Sequence, residues 1–203
     1  MMRTMTKHWK GIYSRLGEVD VEQPYDNAMI KQTMRPWEYA RHAEEIAKRL
    51  KAGDSILEIG CGYGGLAQEI LKRISVSYTV IDNESMLVQT RKFLSDKVEY
   101  VIADNIETLY GREFELFIAH SCLSEFPFEY RKYILKDIMK NCQKVSVIDY
   151  DDNAKPGRLM IKEGWEMLPA ITEYYLNKYF IIKKVKRENC KKENYIFSGE
   201  RKK

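Results

Sequence analysis

Cysteine is scarce in this chain and poorly placed for cross-linking. The four present, Cys61, Cys122, Cys142 and Cys190, are scattered and never fall in C-x-x-C spacing. That excludes a zinc ribbon or a disulfide framework and fits reduced thiols in a cytoplasmic setting. Long apolar runs are also missing. No stretch approaches the about 20 residues that a membrane helix needs, so no membrane insertion is expected. The segment Met1 to Lys10 is polar and basic, without the apolar centre of a secretory signal. Charge bias is slight: the formal net charge of +4 is too small to imply nucleic acid. Repeats and low-complexity linkers are absent as well.

What remains is an ordinary globular composition. The chain has 203 residues, 44% hydrophobic and 32% charged, enough for one domain with a real core. The basic excess concentrates late, in Lys183-Lys184-Val185-Lys186-Arg187, Lys191-Lys192 and Arg201-Lys202-Lys203. It reads as a solvated hairpin and tail, or else as a contact for an anionic partner.

Patterning is weak up to about residue 35. From Pro36 to Leu50 the apolar residues Trp37, Ala40, Ala43, Ile46, Ala47 and Leu50 recur at helical steps. Strands and helices then alternate. Strands are expected at 55–60, 76–82, 97–102, 114–119 and 144–149. Helices are expected at 65–73, 84–95 and 128–141, with a short one near 105–109. This alternation implies a mostly parallel sheet covered on both faces. A helical stretch is expected around 158–175, and two strands near 179–186 and 193–199 form a closing hairpin.

The most informative run is Ile56-Leu57-Glu58-Ile59-Gly60-Cys61-Gly62-Tyr63-Gly64-Gly65. An apolar strand ends in a glycine-dense turn, and a helix pattern follows at once. Such a turn lets a ligand approach the backbone, and the helix N-terminus offers unpaired N–H groups. Gly60, Gly62 and Gly65 satisfy G-x-G-x-x-G, and Asp82 lies near the spacing of a ribose-binding acid. Taken alone, this permits a nicotinamide dinucleotide. Three details favour S-adenosylmethionine. Glu58 puts a negative charge where a pyrophosphate gains nothing, Gly64 adds a tighter G-x-G-x-G spacing, and Asp104 ends a third strand. A sulfonium and an ammonium, with no phosphate, suit an acidic rim. The chain also has no room for a second dinucleotide-binding half.

Glu58-Ile59-Gly60-Cys61-Gly62-Tyr63-Gly64 resembles motif I of the class I S-adenosylmethionine-dependent methyltransferases. Tyr78-Thr79-Val80-Ile81-Asp82 and Val101-Ile102-Ala103-Asp104 resemble the next two strand ends of that family. The likeness runs from about Ala52 to the C-terminus. A finer likeness is to sugar O-methyltransferases of bacterial glycan clusters. It rests on Gly62-Tyr63-Gly64-Gly65-Leu66-Ala67, the second strand, and Phe117-Ile118-Ala119-His120-Ser121-Cys122-Leu123-Ser124-Glu125-Phe126. The resemblance implies a Rossmann-like α/β fold, with a seven-stranded, mostly parallel sheet and a C-terminal antiparallel hairpin. Residues 1–51 would form a helical extension or lid, and 52–203 the cofactor-binding methyltransferase domain.

Candidate residues follow from the rule that ligands sit at the carboxyl ends of strands in open α/β sheets. The cofactor set is Glu58, Gly60, Cys61, Gly62, Gly64, Asp82, Asn83, Met86, Asp104, Asn105, Ile106 and His120. Glu58 would orient the turn and the cofactor amino group, or else bond neighbouring backbone N–H groups. Asp82 can accept both ribose hydroxyls, while Asn83 or Ser85 caps the next helix. Met86 packs on adenine or in the core. Asp104 bonds the adenine amino group, with Asn105 or Ile106 N–H reaching the ring, and also reads as a helix cap. Cys61 and Tyr63 are wall residues.

Transfer to a hydroxyl requires loss of its proton, and the catalytic candidates are His120, Glu125 and Asp149. The run Asp149-Tyr150-Asp151-Asp152-Asn153 could offer oxygens to Mg²⁺, but successive residues point apart, and no metal is assigned. Trp9, Tyr13, Tyr25, Arg35 and Trp37 form a candidate lid, or else pack simply against the outer helices. The expected activity is methyl transfer from S-adenosylmethionine, with S-adenosylhomocysteine as product. A sugar hydroxyl is the expected acceptor, in a small molecule or glycan. Another small molecule, a protein, or a non-catalytic binding module are the alternatives. A homodimer could complete the pocket.

Overall fold

The computed structural model describes residues 19–25, 36–94, 96, 98–123, 126, 128–150, 170–186 and 194–203. Two compact units meet in sequence between Thr108 and Leu109. The strand order is β3-β2-β1-β4-β5-β7-β6, a seven-stranded α/β sheet that is mostly parallel and ends in antiparallel strands.

In the first unit, α1 (Pro36–Ala47) starts at a proline, whose fixed φ suits the first helical turn. It buries His42, Ala43 and Ile46. Trp37, expected on that apolar face, is instead 54% exposed, with the Arg41 guanidinium 5.7 Å from its ring centre. β1 (Ser55–Ile59) is buried from Ile56 onward. Then come α2 (Gly65–Leu71), β2 (Ser77–Asp82), α3 (Glu84–Thr90) and β3 (Val98–Ile102). Parallel pairing sets Glu58 opposite Val80 and Asp82 opposite Ile102. The segment Ala103–Leu109, a 3-10 helix kinked at Asn105, runs to the boundary of the unit.

All three α-helices of this unit stop short of their expected ends, for one reason. The chain tightens after each into i→i+3 bonds: Leu50 N to Ala47 O, Arg73 N to Ile70 O, and Phe93 N to Thr90 O. Such 3-10 turns satisfy orphan carbonyls and end the α-helix, while the near-helical side-chain spacing that periodicity reads runs on.

In the second unit, β4 (Phe114–His120) and β5 (Cys142–Tyr150) pair in parallel, with Ile118 opposite Ser146. The single helix expected at 128–141 is composite. It is α-helical over α4 (Phe128–Tyr133), then one π turn over Ile134–Ile138 and a 3-10 turn over Met139–Asn141. Ile134, Leu135, Ile138 and Met139 are all buried in the core. Residues 151–169 lie outside the described part. α5 (Ala170–Tyr179) runs past the expected end at 175, so the next strand begins one residue late. β6 (Phe180–Lys186) and β7 (Asn194–Arg201) form the expected antiparallel hairpin, with β7 also antiparallel to β5. β6 is one edge of the sheet. Its Lys184 pairs with Glu173 at 2.8 Å and lies 4.3 Å from the Tyr195 ring centre. Charged side chains of this kind blunt an exposed edge.

Candidate cofactor site at the glycine turn

The β1 ladder continues one residue beyond the strand, where Gly60 N donates to Ile81 O at 2.8 Å. The chain then enters the left-handed region at alternate residues, with φ of 72° at Gly60, 54° at Gly62 and 81° at Gly64. Two of these glycines serve different ends. A Cβ on Gly62 would meet nothing within 4 Å, so the turn is open to a ligand there. A Cβ on Gly64 would lie 2.9 Å from Thr90 Cγ2 and 3.0 Å from Leu94 Cδ1, so that glycine permits close packing of α3. Gly65 is close-packed too, against the ring of Tyr25, whose hydroxyl donates to Glu69 Oε1 at 3.0 Å.

Asp82 holds the turn in shape. Its Oδ2 accepts from Gly62 N at 2.8 Å, and its Oδ1 accepts from Asn83 N at 2.8 Å and from Asn83 Nδ2 at 3.1 Å. Asn83 in turn caps α3, its Oδ1 accepting from Met86 N at 3.1 Å. A carboxylate has about four lone-pair positions and three are taken here, so Oδ2 keeps about one for a ribose hydroxyl. Thr90 clamps the turn from the far end of α3: its hydroxyl lies 2.6 Å from Gly62 O and 2.8 Å from Met86 O. The sequence reading did not find Thr90. The signal was present, because Thr90 is one helical turn beyond Met86.

Glu58 corrects one expectation. It is 3% exposed, and it binds across the strands rather than to the backbone of the turn. Tyr78, 2% exposed, donates its hydroxyl to Glu58 Oε2 at 2.9 Å. Tyr78 was also missed. The strand register would have found it, since Glu58 faces Val80 and Tyr78 lies two residues back on the same face. Burial pushes the Glu58 carboxyl up to about 8; the Tyr78 hydrogen bond opposes this and the nearby Asp82 charge adds to it. Burial also raises Asp82, to about 6, against the pull of the Gly62 and Asn83 N–H groups. Burial lifts the Cys61 thiol well above its usual range, which fits a wall residue rather than a reactive thiolate.

Met86 is 4% exposed and packs with Val21 and Tyr63, with Phe93 against them. Asp104 and Asn105 are exposed at the end of β3, whereas Ile106 is fully buried. The 3-10 helix begins at Ala103, so Asp104 lies inside it.

In the second unit, His120 ends β4, and its Nε2 lies 3.0 Å from Ser146 Oγ on β5. Ser121 follows with φ 56°, unusual for a residue with a side chain, while its N–H donates to Ile148 O at 2.7 Å. Backbone strain of this kind collects at functional sites. Glu125, Asp151, Trp9, Tyr13 and Arg35 lie outside the described residues. Asp149 is described only as a backbone position on β5, opposite Tyr195.

These residues fit a cationic, phosphate-free ligand. Gly62 opens the turn, and a buried carboxyl, Glu58, and a half-buried one, Asp82, stand near one another with raised proton affinity. Positive charge relieves that arrangement and a pyrophosphate worsens it.

Comparison with known proteins agrees. Residues 56–144 match the family described as Methyltransferase domain. The sterol 24-C-methyltransferase of Gibberella zeae is 27% identical over 110 residues, which span 50% of this chain and 29% of that protein. The N-methyltransferase NodS from Bradyrhizobium japonicum WM9, solved with S-adenosyl-L-homocysteine, superposes with a TM-score of 0.69 at 14% identity, covering 98% of this chain and 100% of that one. The magnesium protoporphyrin IX methyltransferase from Synechocystis PCC 6803, also with the bound product, gives 0.60 at 14% identity over 95% of each chain. The structural likenesses establish the Rossmann-like methyltransferase fold. With the domain match, they support S-adenosylmethionine as the cofactor.

Proposed function

We propose that this chain is an S-adenosylmethionine-dependent methyltransferase whose acceptor is a hydroxyl group, with a sugar hydroxyl as the substrate class. The observation that carries the cofactor half is the open turn at Gly62, held by Asp82 and backed by buried Glu58. The sugar half rests on the resemblance of the glycine turn, β2 and the end of β4 to sugar O-methyltransferases.

When bound, the cofactor supplies an electrophilic methyl group on a positively charged sulfur. The protein's part is to hold and orient. Asp82 keeps the turn in shape and accepts from the ribose, and Glu58 supplies negative charge. Orientation of two reactants can remove roughly 7–11 kcal/mol of barrier, so proton removal need not dominate. His120 is the proton acceptor in this reading. Its Nε2 lies 3.0 Å from Ser146 Oγ, and its other ring nitrogen, Nδ1, is buried, so proton acceptance there requires the acceptor hydroxyl to enter beside the ring. Residues 1–51 act as an extension on the catalytic domain.

Methyl-labelled S-adenosylmethionine offered with fractionated host extract tests the acceptor. Label in glycan or nucleotide-sugar pools supports the sugar reading. Label in protein or nucleic acid keeps methyl transfer and overturns the acceptor. Cofactor binding with no label in any pool favours a non-catalytic binding module.

A further inference from the structure

Tyr78 stands out among the buried polar groups that the proposed reaction does not use. It lies inside the sheet on β2, 2% exposed, and spends its hydroxyl on Glu58 Oε2 at 2.9 Å. A phenol in that place is not needed for packing alone, since Phe fills nearly the same volume. The acid it contacts has no other hydrogen-bond donor among the described residues. The groups that face Glu58 there are the Tyr78 hydroxyl and Asp82 carboxyl from β2 and the Cys61 thiol from the turn. None of them is cationic. Glu58 therefore ionises only with help from a donor or from an incoming positive charge.

We propose that Tyr78 is a positioning residue that holds Glu58 ready to ionise, so that the site takes its cationic cofactor with release of a proton. This rests on the methyltransferase reading above. The phenol opposes the rise that burial imposes on Glu58, and removing it leaves the proton more tightly held. Positive charge on the cofactor comes from its ammonium and its sulfonium, and both are answered by the same carboxylate chemistry.

Calorimetry of S-adenosylmethionine binding, run between pH 6 and 9 in buffers of different ionisation enthalpy, tests this. The wild-type protein should release a proton on binding at pH 7, and its affinity should rise with pH by up to about tenfold per unit below pH 8. Tyr78→Phe should bind several-fold more weakly at pH 7 and recover by pH 9. Glu58→Gln should lose the pH slope between pH 7 and 8, leaving only what Asp82 contributes near pH 6. The same titration with S-adenosylhomocysteine, which keeps only the ammonium, separates the sources: a retained slope assigns the ammonium, and a lost slope the sulfonium.

A Tyr78→Phe profile that overlays the wild type, or a uniform loss with no recovery at high pH, overturns the proposal. Infrared titration of the protonated carboxyl in the cofactor-free protein gives a second readout. The band assigned by Glu58→Gln should persist to higher pH in Tyr78→Phe, and an unmoved band overturns the proposal. If the wild type binds no S-adenosylmethionine, the methyltransferase reading fails, and the infrared result still decides whether Tyr78 governs Glu58.

Discussion

Replacing Glu58 with glutamine should change the pH dependence of folding more than folding at low pH. The carboxyl ordinarily titrates at 4.5, and in the fold it keeps its proton up to about 8. Between those values the folded state holds a proton that the unfolded chain has released. Stability contributed at this position therefore falls as pH rises from about 4.5 and levels off above about 8. At about 1.36 kcal/mol per pH unit, the interval amounts to roughly 5 kcal/mol by pH 9. Glutamine copies the shape of the protonated acid, still accepts from Tyr78, and carries no charge at any pH. Urea denaturation of both proteins at pH 5, 7 and 9 should give stabilities within about 1 kcal/mol at pH 5, allowing for one imperfect amide hydrogen bond. By pH 9 the variant should be the more stable by several kcal/mol. A difference that stays constant across the range would refute the argument, because it would mean that Glu58 is already ionised in the fold.

Further outcomes follow from the same turn and from the end of β4. Gly62→Ala should cost about 1–2 kcal/mol of stability for its left-handed backbone, yet lower S-adenosylhomocysteine affinity more than Gly64→Ala does, because only Gly62 faces open space. Gly64→Ala should be the more destabilising by thermal melting, since its Cβ collides with Thr90 and Leu94. Asp82→Ala removes the acceptor of the Gly62 N–H and should cost about 1–3 kcal/mol in urea denaturation, with a sharp loss of cofactor affinity by calorimetry. His120→Ala should spare cofactor binding and lower turnover. Unchanged turnover would move the proton acceptor to Asp149, Asp151 or Glu125.

The alternation of strands and helices was legible because apolar runs such as Leu116-Phe117-Ile118-Ala119 are buried whole, as parallel strands are. Helix ends were not, because 3-10 turns keep helical spacing while changing the hydrogen-bond step. The break of the 128–141 helix into α, π and 3-10 pieces left no proline or glycine to mark it. At the site, the glycines, Asp82 and the Asn83 cap could be read from a local motif. The partners Tyr78, Thr90 and Ser146 could not, because each is set by strand register or helix packing, and a motif carries neither. Glu58 shows the difference well. Its position was evident, but its bond to Tyr78 depends on where β1 lies against β2.

Competition binding on the purified protein tests the central claim most directly. S-adenosylmethionine should bind saturably at one site that Asp82→Ala removes, and nicotinamide adenine dinucleotide should not displace it. Absence of saturable binding, or displacement by the dinucleotide, would contradict the assignment of the glycine turn.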